Sequence, residues 1–308
     1  MEEVFMEQTP ALKKALGELK RITGISLDMH PASNEEMEAA VRQIHCLTTA
    51  YKEKYNKTDF LYSLLSGNIQ TCELKERASR LHIQSEQLRI LFLLETKTAY
   101  DDTVLEILKN IFPAQAKTYL IPVNAQRIAV LKPAAPTEGS PDDCTKSARM
   151  IVDTLNTEAL IHVQVSFSSL LHSLADLPGA YEETSLALKV GKLFFSEQTV
   201  FPYNKLGIGR LIYQLPVPLC ENFLKELFGE ELPHTFEEDT VVTINKFFQN
   251  NLNIAETSRQ LHMHRNTLIY RLEQVEKRTG LDIRRFEDAM TFKIAMMVMN
   301  YLQTERNL

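Results

Sequence analysis

The chain has 308 residues, enough for roughly two domains at about 150 residues each. Hydrophobic residues make up 44% and charged residues 24%, ordinary globular values that exclude intrinsic disorder and collagen-like structure. The net charge of −6 gives no overall attraction to a polyanion, although a local patch is free to differ from the whole.

No apolar run is long enough to span a membrane as a helix, and the opening MEEVFMEQTP is acidic, without the basic and apolar regions of a secretory signal. Four cysteines, Cys46, Cys72, Cys144 and Cys220, lie far apart with no CxxC, so neither a disulfide framework nor a zinc site is expected. These features predict a cytoplasmic protein with reduced thiols, no membrane partner and no cofactor.

Thr9-Pro10 reads as a helix start, followed by a stripe of Leu12, Ala15, Leu16, Leu19 and Ile22 and a stop at Gly24. Ser33 with Glu36 opens a second helix, whose apolar face is Met37, Ala40, Val41, Ile44, Leu47, Tyr51 and Tyr55. The pattern changes near Thr58. A short helix around Phe60, Leu61, Leu64 and Leu65 should end at Gly67, and a charged helix should follow at 72–81.

The middle of the chain then alternates. Residues 88–95 (LRILFLLE) read as a buried strand and 102–112 as a helix stopped by Pro113. Two further strands flank Asn124, Ala125 and Gln126 as a hairpin. Residues 133–143 form a loop by composition, 145–155 a helix, 160–167 a strand, and 178–194 a helix before a short extended piece at 200–202. This order predicts a ferredoxin-like antiparallel sheet with helices on one face, plus an added unit. Residues 204–229 read as a helical connector, and everything from Asp239 onward is helical.

The last seventy residues carry the function. Asp239 is expected to cap a helix that turns Val241, Ile244, Phe247 and Phe248 inward. Asn253 and Glu256 open a two-turn helix with Ile254, Ala255, Ser258 and Leu261 on or near its buried side. His262-Met263-His264 makes a tight connection, with Met263 inward, to a longer helix at 265–279 ended by Gly280. Two short helices, a turn and a longer helix make a helix-turn-helix.

Helical spacing puts Leu268, Leu272 and Val275 on the buried edge of the longer helix. Asn266, Tyr270, Glu273 and Lys277 fall on the opposite edge, Thr267, Arg271 and Gln274 on one flank, and Arg265 and Ile269 on the other. Such amide, phenol, hydroxyl and guanidinium groups suit base edges, since Arg bonds guanine bidentately and Asn bonds adenine. The N-terminal residues of a recognition helix enter the major groove first. The candidate contacts to double-stranded DNA are therefore His264, Arg265, Asn266, Thr267, Tyr270, Arg271, Gln274, Lys277 and Arg278. From Arg259 to Arg285 the chain carries seven Lys/Arg and three acids, a local charge of +4 that leaves −10 elsewhere. Arg278, Arg284 and Arg285 are expected phosphate contacts. The plainer reading of the same residues is a solvated helical hairpin.

Residues 253–281, above all HRNTLIYRLEQVEKRTGL, resemble the C-terminal helix-turn-helix of PucR/CdaR-family bacterial transcriptional regulators, and are similar to the shorter one of Fis-like proteins. The middle resembles the same family's degenerate GGDEF-like domain through VQVSFSS (163–169), Leu177, Tyr181, Glu183, ALKVGK (187–192) and LGIGRLI (206–212). The resemblance spans about 58–308 and implies an α+β regulator that binds DNA as a homodimer or higher oligomer and answers a small-molecule effector. It divides the chain into a helical region at 1–57, a GGDEF-like domain at 58–203, a helical connector at 204–237 and a helix-turn-helix domain at 238–308.

There are departures. Family members often carry an N-terminal sensor domain, for which the 57 residues ahead of the GGDEF-like part give no warrant. The family's Ser-Tyr-x-Glu-Ala is met only in part, by Ala180-Tyr181-Glu182-Glu183-Thr184.

Enzyme chemistry is not expected. A diguanylate cyclase needs a glycine- and acid-bearing hairpin for phosphate and Mg²⁺, and PVNAQRIAVL has neither. There is no GxxxxGK, no GxGxxG after a strand and no HExxH. Gly207-Ile208-Gly209 is weak in its helical context, and His262 with His264 lacks the further ligands that a metal site needs. An alternative is a metabolite- or nucleotide-binding signalling protein that works through its GGDEF-like domain. The final helix, from Phe286 to Leu302, is apolar nearly all round and must be buried, in its own domain or between subunits. Candidate subunit contacts are Met297, Met299 and Tyr301 there, and the stripe from Leu12 to Ile22.

Overall fold

The computed structural model describes residues 10–23, 25–29, 33–113, 117–135, 140–229 and 237–306. Among these the chain divides into two units: Met1–Leu188 with Thr199–Asn204, and Lys189–Gln198 with Lys205–Leu308. The expected helix start at Thr9 and stop at Gly24, and part of the 133–143 loop, lie outside the described residues.

The first unit opens with α1 (Pro10–Thr23) and α2 (Asn34–Leu65). Ser33 caps α2 by accepting the Glu36 amide at 3.2 Å. Leu12, Ala15 and Leu19 bury against Met37, Ala40 and Ile44, so the first stripe is used within this helical pair. One 32-residue helix replaces the two expected on either side of Thr58. No Gly or Pro interrupts 34–65, so the change of apolar pattern near 58 marks a change of packing partner and not a helix end. Gly67, at φ 71, follows the stop. Helix α3 (Thr71–Arg80) comes next.

The sheet has the order β2-β3-β1-β4-β5. Strand β1 (Arg89–Thr96) pairs antiparallel with β3 (Arg127–Pro133) and with β4 (Val163–Phe167), while β2 (Tyr119–Pro122) pairs antiparallel with β3. Strand β5 (Val200–Pro202) pairs parallel to β4. Helices α4 (Asp102–Ile111) and α5 (Pro141–Glu158) cover one face. Their Val104, Ile107, Leu108, Ala148, Ile151 and Leu155 pack on Ile90, Phe92, Leu94, Val130 and Val165.

Helices cover the other face too, against the one-face expectation. Leu91, Leu93, Ala129 and Leu131 are buried on that side. The buried Ser166 hydroxyl donates at 2.8 Å to the carbonyl of Thr184 in α6 (Leu177–Phe194), and α2 packs on β2. The unbroken apolar run of β1 is what a strand buried on both faces requires.

The second unit contains α7 (Ile208–Tyr213), α8 (Val217–Phe228), α9 (Glu238–Gln249), α10 (Ile254–Gln260), α11 (Arg265–Thr279) and α12 (Phe286–Arg306). Glu237, and not Asp239, holds the N-cap position of α9, with no side-chain cap. Helix α12 is its spine. Ala289 and Phe292 join a core with Ile244, Phe247, Leu268, Leu272, Val275 and Ile283. Further along, Ala295, Met297, Val298, Tyr301 and Leu302 join a second core with Ile212, Cys220 and Leu224. Met297 and Tyr301 are therefore internal and not subunit contacts, and the Tyr301 hydroxyl donates to the Leu215 carbonyl at 3.3 Å. The helix is not buried all round either, since Phe286 is 72% exposed.

Candidate nucleic-acid interface

The geometry begins with the small core that holds α9, α10 and α11. Leu268 and Leu272 of α11 are at most 1% exposed, as is Val275, and they face Ile244 and Phe247 of α9. Burying side chains of this size contributes about 1.5–3 kcal/mol each, and it fixes by default which edge of α11 is left to solvent.

Helix α10 is seated by polar groups. Asn253 caps it, accepting the Glu256 amide at 3.1 Å. Thr257 is fully buried; its hydroxyl donates to the Asn253 carbonyl at 2.7 Å and accepts from Asn250 Nδ2 at 3.2 Å. Ala255, expected near the buried side, is exposed instead.

The connection to α11 is tight. Met263 donates its amide to the Ser258 carbonyl at 3.0 Å and packs half-buried on the core, as expected. The intervening His262 adopts φ 52, a left-handed conformation that costs a Cβ-bearing residue about 1–2 kcal/mol. His264 caps α11, its Nδ1 accepting the Asn266 amide at 3.3 Å. That acceptor role leaves Nε2 as the protonated nitrogen of the neutral ring. Gly280 closes the helix at φ 74, where a side chain would be strained.

The candidate contacts separate into two groups. His264, Arg265, Asn266, Thr267, Tyr270, Lys277 and Arg278 are exposed, with Tyr270 at 60%. Gln274 and Arg271 are half-buried. Arg271 reaches back to α9, donating to Thr243 Oγ1 at 2.9 Å and to the Asp239 carbonyl at 3.3 Å.

Arg284, expected on a phosphate, is occupied by acids. It lies 2.6 Å from Asp282, 2.8 Å from Glu276 and 3.6 Å from Glu273. This hydrogen-bonded pairing holds the Asp282 carboxyl below its ordinary range and raises the Arg284 guanidinium. Arg259 is likewise paired to Glu256, whose carboxyl the Arg259 and Gln260 hydrogen bonds lower to about 2. Of the seven cations from Arg259 to Arg285, Arg265, Lys277, Arg278 and Arg285 carry no ion pair among the described residues.

Sequence reasoning missed Thr257 and Thr243. Both sit in i, i+4 hydroxyl-to-carbonyl bonds, and no apolar period marks them.

In the sheet domain, the hairpin between β2 and β3 is an Asx turn. Asn124 Oδ1 accepts the Gln126 and Arg127 amides at 2.9 and 2.8 Å. Arg127 pairs with Glu95 at 2.6 Å. The turn backbone is further engaged by Thr96 and Tyr100, whose amides donate to the carbonyls of Gln126 and Ala125. No group of three or more His, Cys, Asp or Glu placed to hold a metal occurs among the described residues, and no described helix is long and apolar enough to cross a membrane.

Residues 240–298 match the model of the PucR C-terminal helix-turn-helix domain, and residues 66–190 match that of the GGDEF-like domain. Both matches fall in the two regions that resemble PucR/CdaR-type regulators. The chain is similar to the carbohydrate diacid regulator of Escherichia coli, at 24% identity over 252 residues, covering 79% of this chain and 65% of that protein. It is similar to the purine catabolism regulatory protein of Bacillus subtilis at 29% over 135 residues, covering 44% of this chain and 25% of that protein. A third relative is the DNA-binding transcriptional activator AdeR of Bacillus subtilis, at 26% over 136 residues, with 42% and 32% covered. The chain thus spans under two thirds of each of these relatives. The PucR-type match takes in α10 and α11 whole, and the GGDEF-like match takes in β1 to β4.

Proposed function

We propose that the chain is a sequence-specific, DNA-binding transcriptional regulator that reads duplex DNA with α11 and catalyses no reaction. The observation that carries this is the two-sided character of α11. One edge is sealed in the core by Leu268, Leu272 and Val275, while His264, Arg265, Asn266 and Thr267 stand exposed at its leading end.

In this reading Arg265 and Asn266 meet base edges, Thr267, Tyr270 and Gln274 line the groove, and Lys277 and Arg278 lie along phosphates. The regulator works as a homodimer or higher oligomer in the cytoplasm, because one helix-turn-helix makes only a few base contacts. Two related half-sites, about 34–36 Å apart, supply the rest. Its relatives' names, a carbohydrate diacid regulator and a purine catabolism regulatory protein, support a small-molecule effector. The boundaries near 58, 204 and 238 divide the sensing and connecting parts from the reading part.

The test is a mobility shift with the chain's own promoter region against random duplex. Asn266→Ala should cost about 1–3 kcal/mol on the cognate site and relax the preference for one base pair. Equal losses on cognate and random DNA would remove Asn266 from base reading.

A further inference from the structure

Arg271 projects from the flank of α11 shared with Thr267 and Gln274, yet its bonds run inward to α9, 28 and 32 residues earlier. Its Nη1 bridges the Thr243 hydroxyl at 2.9 Å and the Asp239 carbonyl at 3.3 Å. Thr243 is 1% exposed, and its hydroxyl donates in turn to that same Asp239 carbonyl at 2.7 Å, which closes a ring of three groups. The Asp239 carboxylate lies 3.7 Å away but is 82% exposed, so the ion pair adds little to the two hydrogen bonds.

We propose that Arg271 is a positioning residue, one that fixes the roll of α11 on α9 so that Arg265 and Asn266 meet their base pairs. This rests on the DNA-reading proposal above. The apolar edge of α11 sets which side faces the core, but hydrophobic contact is non-directional and does not by itself fix the fine roll of the helix about its axis. The clamp from Arg271 supplies the direction, about one and a half turns beyond Arg265 and Asn266 and beside Leu272. Recognition groups must be held to within about 0.5 Å for a site to discriminate. Both bonds come from Nη1 alone; a lysine carries the same charge, but its Nζ ends one bond short of that position.

The proposal separates Arg271 from a phosphate contact by measurable signs. Fluorescence anisotropy of the full chain would be run on its promoter fragment and on a random duplex of equal length, across 50–200 mM KCl. The variants are Arg271→Met, Arg271→Lys, Thr243→Val and the Arg271→Met/Thr243→Val double. Arg271→Met and Thr243→Val should each weaken cognate binding about five- to thirtyfold, the ratio that one or two kcal/mol produces. Random-duplex binding and the salt slope should stay as in the parent. The double variant should be no worse than the weaker single, because both remove one clamp, and Arg271→Lys should behave like Arg271→Met.

A phosphate role would instead flatten the slope by about 0.9 in Arg271→Met, weaken both duplexes alike and be rescued by lysine. Any of these, or a neutral Thr243→Val, overturns the proposal. Should Arg271→Met fail to fold cooperatively, Thr243→Val and Arg271→Lys decide the matter. A parent chain that binds neither duplex overturns the DNA reading and this inference together, whereas parent binding with the phosphate pattern overturns this inference alone.

Discussion

The ion pairs of the second unit set an upper bound on how strongly salt weakens DNA binding. Seven cations lie between Arg259 and Arg285. If all met phosphates, log K would fall against log salt with a slope of about 6.3 per chain, at about 0.9 per phosphate. Arg259 is held by Glu256, Arg271 by Thr243 and Asp239, and Arg284 by Asp282, Glu276 and Glu273. The four that remain, Arg265, Lys277, Arg278 and Arg285, bound this segment's slope at about 3.6 per chain, so affinity falls about 150-fold between 50 and 200 mM salt where seven contacts would give about 6000-fold. Titrations of glutamine variants by fluorescence anisotropy measure each share. Lys277→Gln and Arg278→Gln should each flatten the slope by up to about 0.9. Arg284→Gln should leave it unchanged and lower the thermal midpoint instead, since it strands Asp282 and Glu276. An Arg284→Gln chain that keeps its midpoint but loses close to a full unit of slope would refute this partition of the charges.

Gly209→Ala should destabilise the second unit by about 1–3 kcal/mol, because the added Cβ would lie 2.9 Å from the Phe194 ring and 3.1 Å from a Val190 methyl; an unchanged denaturant midpoint would count against that packing. His262→Gly should stabilise by about 0.5–1 kcal/mol, relief of the left-handed strain at φ 52 exceeding the added chain entropy; chemical denaturation reads it directly, and a loss would show that the side chain matters more than the backbone. Glu256 has a folded pKa of about 2 against an ordinary 4.5, so its contribution is whole above 4.5 and disappears as pH falls toward 2. Glu256→Gln should therefore lose less of its thermal midpoint than the parent across that acid window, and equal losses would deny the ion pair any role.

Much of the fold was legible because it rests on periodicity. Leu268, Leu272 and Val275 recur at the helical interval, and the structure buries all three. The strands around Asn124 to Gln126 were equally plain, since turn residues separate two apolar runs. What stayed hidden depends on groups far apart in the chain. Arg271 shares its flank of the helical wheel with Thr267 and Gln274, where no local signal marks it as bonded, and only its distance to Thr243, 28 residues earlier, shows that it is held. Helix α10 shows the limit of short elements: seven residues cannot define a face, so Ala255, expected near the buried side, is exposed, while Thr257, which no apolar period marks, is buried. The second covered face of the sheet was in fact written in β1. Arg89 aside, its run from Ile90 to Leu94 has no polar alternation at all, as burial on both sides demands.

The final helix explains why apolar composition alone misleads about assembly. A helix with one packing partner needs one stripe; Phe286–Arg306 has two partners in succession within its own unit. Its first half gives Ala289 and Phe292 to the core beneath α11, and its second half gives Ala295, Met297, Val298 and Tyr301 to the core with α7 and α8. The two stripes point in different directions, and together they make the sequence look apolar all round. The same helix thus ties α7 and α8 to the core beneath α11. Leu268, Leu272 and Phe292 share that core, so a displacement of α7 and α8 would reach α11 through buried side chains.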